Sequence, residues 1–160
     1  HQEARRQRQM CIRDRDSSDA ALLLAKENFA INGLDPAQHQ FTGGSAFDYL
    51  RDLPKDEYDI IVLDPPAFAK SKQSLQRGAR GYKDINRLAI QKVKSGGLVL
   101  TCSCSAYVSW ELFRKIVFSA AQETGRKTQI IAQPGQPADH PVNIYHPEGE
   151  YLKTFLLRVL

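Results

Sequence analysis

Apolar residues recur along this chain in two alternating patterns, helical stripes and short unbroken runs. From Ser18 to Ile31, Leu22, Ala25 and Phe29 fall on one helical stripe with Leu23 and Ala30 beside it. Asn32-Gly33 stops that helix, and Pro36 follows at the distance expected of a helix end. Gln40-Phe41-Thr42 is a short strand, and Ser45 to Leu53 a short helix ended by Pro54. Tyr58 to Leu63 carries the run Ile60-Ile61-Val62-Leu63, the pattern of a strand buried on both faces. Asp64-Pro65-Pro66 must leave the sheet, because proline cannot donate to a central ladder.

Residues 67–80 then read as a polar, basic loop. Tyr82 to Lys94 is helical, with Ile85, Leu88, Ala89 and Val93 on one side, and Ser95-Gly96-Gly97 closes it. Leu98 to Cys102 is the next buried strand. Ser109 to Glu123 is the next amphipathic helix, capped by Gly125. Gln129 to Ala132 and Leu152 to Leu160 are strands separated by a proline-rich loop with no helix in it. Alternating helices and buried strands predict an α/β fold with a mostly parallel sheet covered on both sides. The last two strands, lacking a crossover helix, are expected to pair antiparallel. Ligands of such sheets sit beyond the carboxyl ends of the strands. Three places therefore matter: Asp16, Asp64-Pro65-Pro66 and Ser103-Cys104-Ser105.

Length adds that 160 residues, 42% hydrophobic and 25% charged, suit one globular domain. No apolar stretch is long enough to span a membrane, and no secretory leader is evident. Three cysteines, two of them only two apart, are no disulfide framework, so a reducing, cytoplasmic setting is expected. Charge changes the picture twice. Residues 1–15 hold five Arg against Glu3 and Asp14. Met10-Cys11-Ile12-Arg13-Asp14 resembles a translated transposon-end adapter. Residues 1–15 are therefore expected to be a non-native or disordered basic segment, and residues 16–160 a partial domain. The second excess lies between Lys70 and Lys94, where eight cations (Lys70, Lys72, Arg77, Arg80, Lys83, Arg87, Lys92, Lys94) face only Asp84. Phosphate binding predicts such a local surplus, whereas a solvated helix face mixes its signs.

The candidate chemistry sits at the strand ends. Asp64 is held by two prolines and can accept from an amine or a protonated ring nitrogen, or merely cap its turn. Cys104 falls just past a strand end and reads as a thiolate nucleophile, while Cys102 lies within the strand and reads as core. Zinc needs about four ligands with paired spacing, so no metal site is expected. A Cys-His hydrolase pair with His140 lacks any motif for an oxyanion hole. Asp16 suits ribose hydroxyls and a helix N-cap equally. No glycine-rich phosphate loop is present.

Nine segments occur in a telling order: Asp16-Ser17-Ser18, Asn32-Gly33-Leu34, Ala46-Phe47-Asp48, Asp64-Pro65-Pro66-Ala67-Phe68, Gly81-Tyr82-Lys83-Asp84-Ile85-Asn86, Gly96-Gly97, Ser103-Cys104-Ser105, Asp139-His140-Pro141 and Pro147-Glu148-Gly149-Glu150-Tyr151-Leu152-Lys153. The set resembles the bacterial S-adenosylmethionine-dependent 23S ribosomal RNA cytosine carbon-5 methyltransferases that carry an N-terminal PUA domain. The resemblance runs from about Asp16 to Leu160. It implies a Rossmann-like class I methyltransferase sheet, truncated before the glycine-rich cofactor turn and without the PUA domain. It implies S-adenosylmethionine as cofactor, with Asp16 at the ribose, Ser45, Ala46 and Phe47 by the adenine, and Asp64, Pro65 and Pro66 between its methionine end and the target base. Ser45 departs from the acid usual there. It implies Cys104 as nucleophile, seven residues after Gly97, and ribosomal RNA as partner. Lys70, Lys72, Arg80, Lys83 and Asn86 would bind that RNA, with Tyr82 stacking on a base. Two other readings share these features: a guanine-modifying ribosomal RNA methyltransferase, which needs no Cys104, and a non-catalytic RNA-binding remnant.

Overall fold

A computed structural model describes residues 12–160. They fall into two compact units divided between Tyr49 and Leu50. The basic segment lies largely outside the described residues. Its end does not: Arg13–Asp16 forms a strand, β1, that pairs in parallel with β2, Gln40–Gly43. The ladder joins Arg13 to Gln40 and Asp16 to Gly43. Within the same unit the Arg15 guanidinium lies 4.2 Å above the Tyr49 ring, a cation–π contact.

Helix α1, Asp19–Ile31, connects the two strands. Ser18 caps it by accepting from the Ala21 amide, and Asn32 ends it with Gly33 in the left-handed region that glycine tolerates best. Phe29 holds the helix down, edge-on to Phe41 at 5.1 Å and to His39 at 4.9 Å. Helix α2, Ala46–Asp52, crosses from the first unit into the second.

The second unit contains β3 (Tyr58–Leu63), α3 (Leu75–Lys92), β4 (Val93–Ser103), α4 (Trp110–Thr124), β5 (Thr128–Ala132) and β6 (Lys153–Val159). The sheet order is β3-β4-β6-β5. β3 and β4 pair in parallel, and β6 runs antiparallel to both β4 and β5. The expected antiparallel last strand is therefore present, inserted between β4 and β5.

One face of this sheet is a dry core. Val99, Thr101 and Ser103 of β4 share it with Phe155 and Leu157 of β6, all essentially inaccessible. Tyr82 and Ile85 from α3 and Phe113 and Ile116 from α4 complete the core, with Phe113 stacked on Phe155 at 5.3 Å. The other face differs from expectation. Ile61 and Leu63 are buried, but Ile60 is 49% and Val62 61% exposed, so β3 alternates instead of being buried on both sides. Side chains on a strand point to opposite faces in turn, and only one face of β3 is covered among the described residues.

Two boundaries also moved. α3 begins at Leu75, well inside the region read as loop, and Gly78 extends the buried stripe of Tyr82, Ile85 and Ala89 by one turn. Ser95-Gly96-Gly97 does not stop the chain but forms an irregularity within β4, where the register passes from Tyr58–Val93 to Ile60–Leu98. Gly96 has φ +79°, and a Cβ on Gly97 would stand 2.8 Å from the Lys94 carbonyl oxygen and 2.9 Å from that of Asp59.

Candidate active site

The parallel strands β3 and β4 end side by side, with Leu63 opposite Thr101. The segments that follow them, Asp64-Pro65-Pro66 and Cys104-Ser105, therefore emerge together. The Cys104 thiol is half-buried and points at the Pro65 carbonyl, 4.0 Å away. Asp64, one residue earlier, is exposed, and its carboxylate takes no hydrogen bond or ion pair among the described residues. A part-exposed thiol and an unclaimed acceptor thus stand at neighbouring strand ends. Cys102 contrasts with this. Burial pushes its thiol up to about 11, with the Asp64 carboxylate and Cys104 adding to the effect. It is a core residue, as its place inside the strand suggests.

Ser105 ties the site together. Its hydroxyl accepts from the Ala69 amide at 3.2 Å and meets the Tyr82 hydroxyl at 2.9 Å, while Tyr82 also accepts from the Phe68 amide at 3.5 Å. The loop after the prolines, α3 and the end of β4 are joined at this point. Gly78 lets α3 approach the loop: a Cβ there would lie 2.8 Å from the Ala69 amide nitrogen. From sequence, Ser105 has no role beyond its place in Ser103-Cys104-Ser105 and Gly78 is singled out nowhere, although a lone glycine within a helical period marks close packing.

Tyr82 and Asn86 correct the RNA-contact assignment. Both are fully buried, and the Asn86 amide donates to the Tyr82 carbonyl at 2.8 Å. They hold the site from inside and present no face to a base. The basic cluster divides as well. Lys83 and Arg87 both reach Glu123, at 2.9 and 3.7 Å, and the Lys83 hydrogen bond holds that carboxyl below its ordinary range. Lys94 pairs with Asp59 at 3.0 Å, and Lys92 donates to the carbonyls of Arg51 and Leu53. Lys70, Lys72, Arg77 and Arg80 remain exposed, with no side-chain partner among the described residues. Arg77 lies in the first turn of α3, where no acid stands. A cation there opposes the helix dipole at a cost of about 0.3–1 kcal/mol unless an anion is bound nearby.

In the first unit, Asp16 ends β1. One of its carboxylate oxygens accepts from the Ser18 amide at 2.7 Å, and the other has no partner among the described residues. Ser18, not Asp16, is the helix cap, so the strand-end carboxylate keeps one oxygen for an outside donor. Ser45 accepts from the Asp48 amide at 3.3 Å and caps α2, while Ala46 and Phe47 are half-buried. No three His, Cys, Asp or Glu side chains among the described residues are grouped to hold a metal ion. No described helix is long and apolar enough to cross a membrane.

Solved structures share this architecture. The protein SMU.776, crystallised with SAH, superposes with a TM-score of 0.75 at 27% identity, over 94% of this chain and 39% of that one. The fold is that of a class I methyltransferase. In sequence, the chain is similar to the ribosomal RNA large subunit methyltransferase I of Klebsiella pneumoniae subsp. pneumoniae, 46% identical over 147 residues and 91% of this chain. The protein of the same name from Alteromonas mediterranea is 47% identical over 146 residues. The chain spans 37% of the length of each of these relatives. No family profile matches the chain.

Proposed function

We propose that this chain is part of an S-adenosylmethionine-dependent methyltransferase acting on carbon 5 of a cytosine in large-subunit ribosomal RNA. The observation that carries the reading is the half-buried Cys104 thiol at the end of β4, beside the Pro65 carbonyl and next to the unpaired Asp64. A guanine-modifying enzyme has no use for that thiol. The names of the relatives support the substrate class, and SAH in SMU.776 supports the cofactor.

The residues suit such a cofactor. Asp16 has a free carboxylate oxygen for ribose hydroxyls, and Ser45, Ala46 and Phe47 are assigned to the adenine. Pro65 and Pro66 hold the segment after Asp64 extended. S-adenosylmethionine supplies an electrophilic methyl group. The protein must make carbon 5 of cytosine nucleophilic, which it is not by itself. The Cys104 thiolate adds to carbon 6, forming a carbon–sulfur bond. The displaced electron pair is taken up at ring nitrogen 3, which is protonated and donates to the Asp64 carboxylate. Carbon 5 is then an enamine carbon. Once it carries the methyl group, loss of its proton restores the double bond and expels Cys104 as thiolate.

Lys70, Lys72, Arg77 and Arg80 bind RNA phosphates beside the site. The target base must be unstacked to reach Cys104, which favours a loop or an incompletely folded RNA over a duplex. Cys104→Ala in the complete protein is expected to abolish transfer of labelled methyl to ribosomal RNA while leaving RNA affinity within about twofold. Wild-type turnover by that variant would exclude the cytosine mechanism.

A further inference from the structure

Lys153 is a buried cation that the reaction above does not use. Its side chain is 4% exposed, at the start of β6. Its ammonium donates to the Ser105 carbonyl at 2.7 Å and to the Tyr151 carbonyl at 2.6 Å. In the β4–β6 ladder it stands directly opposite Ser103. Lys153 therefore brackets Cys104, with its backbone beside the residue before and its charge on the residue after. The Ser103 hydroxyl across the ladder is buried without a hydrogen-bond partner, and an ammonium has three protons to donate.

Burying an ammonium is expensive, and two carbonyls recover only part of the cost. Burial accordingly pushes the Lys153 ammonium toward deprotonation, while Cys104 acts in the opposite direction. A methionine of similar length would fill the space beside Phe155 without that penalty. The retained charge therefore has to serve the group it faces. The other ionisable groups around the pair are Asp64 after β3, Cys102 on β4 and Tyr82 on α3; α4 contributes Arg114, whose guanidinium lies over Phe155.

We propose that Lys153 is a positioning residue for Cys104: it fixes the Ser103-Cys104-Ser105 turn through the Ser105 carbonyl and sets its positive charge against the turn that carries the sulfur. This rests on the reading of Cys104 as nucleophile. The test nonetheless reads the coupling without any methyl transfer.

Alkylation of Cys104 by iodoacetamide is followed between about pH 6 and 9 in the intact protein. The tryptic peptide Ser95–Arg114 is analysed, with fragment ions separating Cys104 from Cys102. Lys153→Met is expected to move the pH profile of Cys104 upward by about one pH unit, an approximately tenfold loss of rate at neutral pH. Lys153→Gln keeps a donor for the carbonyls but no charge. It should show the same displacement with a smaller fall in melting temperature, which a purely structural lysine would not produce.

Should neither variant fold, the wild-type protein decides. With carbon-13 at the lysine ε position, blocking Cys104 with the neutral carbamidomethyl group should move the Lys153 titration to lower pH, because coupling is reciprocal. A wild-type Cys104 profile in folded variants, or an unmoved Lys153 titration, overturns the proposal. Methyl transfer by Cys104→Ala would instead overturn the nucleophile reading and leave the measured coupling standing.

Discussion

Two cysteines two residues apart meet opposite surroundings, because β4 ends at Ser103, between them: Cys102 stays within the sheet and Cys104 stands just past it. Cys102 is buried, with its thiol raised to about 11, whereas Cys104 is half-exposed at the strand end. At pH 8, alkylation should therefore label Cys104 and spare Cys102. A thiol whose folded value is raised contributes stability that is complete below its unfolded value, about 8.5, and lost as pH climbs through about 11. Denaturant titrations between pH 8 and 11 should show that loss, and Cys102→Ala should lack its share of it. Gly78 offers a second test. Alanine there gains about 1 kcal/mol of helix propensity, but its Cβ meets the Ala69 amide at 2.8 Å. Overpacking costs about 1–3 kcal/mol, so Gly78→Ala should lower the melting temperature. At this scale the placing of Asp64 and Cys104 just past neighbouring strand ends was legible, because apolar runs mark where strands stop. Tyr82 could have been read as core, since it shares its stripe with Ile85 and Ala89. Lys153 could not, because lysine in a sequence reads as surface, and only the ladder shows its ammonium turned onto Ser105.

The helix α3 shows why charge counts alone mislead. Eight cations stand between Lys70 and Lys94, yet four of them answer partners within the protein. The partners Glu123, Asp59 and the carbonyls at the end of α2 come from distant elements, which no local window reveals. Substituting Lys70, Lys72, Arg77 and Arg80 with Gln should therefore reduce the salt dependence of RNA binding by a slope of about 3, at about 0.7 per single-strand phosphate contact. Lys83→Gln should change it little and chiefly free Glu123. An unchanged slope in the fourfold variant would remove the loop from the RNA surface. Strand β3 makes a parallel point about burial. Four consecutive apolar residues suggested two covered faces, but periodicity does not say how many layers are present. In the 160-residue chain, Leu63→Ala should cost about 2–5 kcal/mol. Val62→Ala, at a side chain 61% exposed, should cost well under 1 kcal/mol in the same denaturant titration.

Across the molecule, the alternation of helices and strands was enough to anticipate an α/β sheet and its antiparallel last strand. The order β3-β4-β6-β5 was not, because strand sequence carries no record of where in the sheet the final strand inserts. That insertion brings Lys153 against the end of β4, where Cys104 stands. The parallel β3–β4 pair does the rest by delivering Asp64 and Cys104 to one end of the sheet. The proposed chemistry requires Cys104 to form a covalent bond to carbon 6 of a cytosine. Ribosomal RNA carrying 5-fluorocytosine tests it directly, since fluorine replaces the proton that must leave and the adduct should persist. Incubated with the complete protein and S-adenosylmethionine, it should yield a stable protein–RNA species whose mass maps to the Cys104 peptide. No such species should form with Cys104→Ala. An active enzyme that methylates normal RNA but never forms the adduct, or forms it equally well without Cys104, would contradict the account.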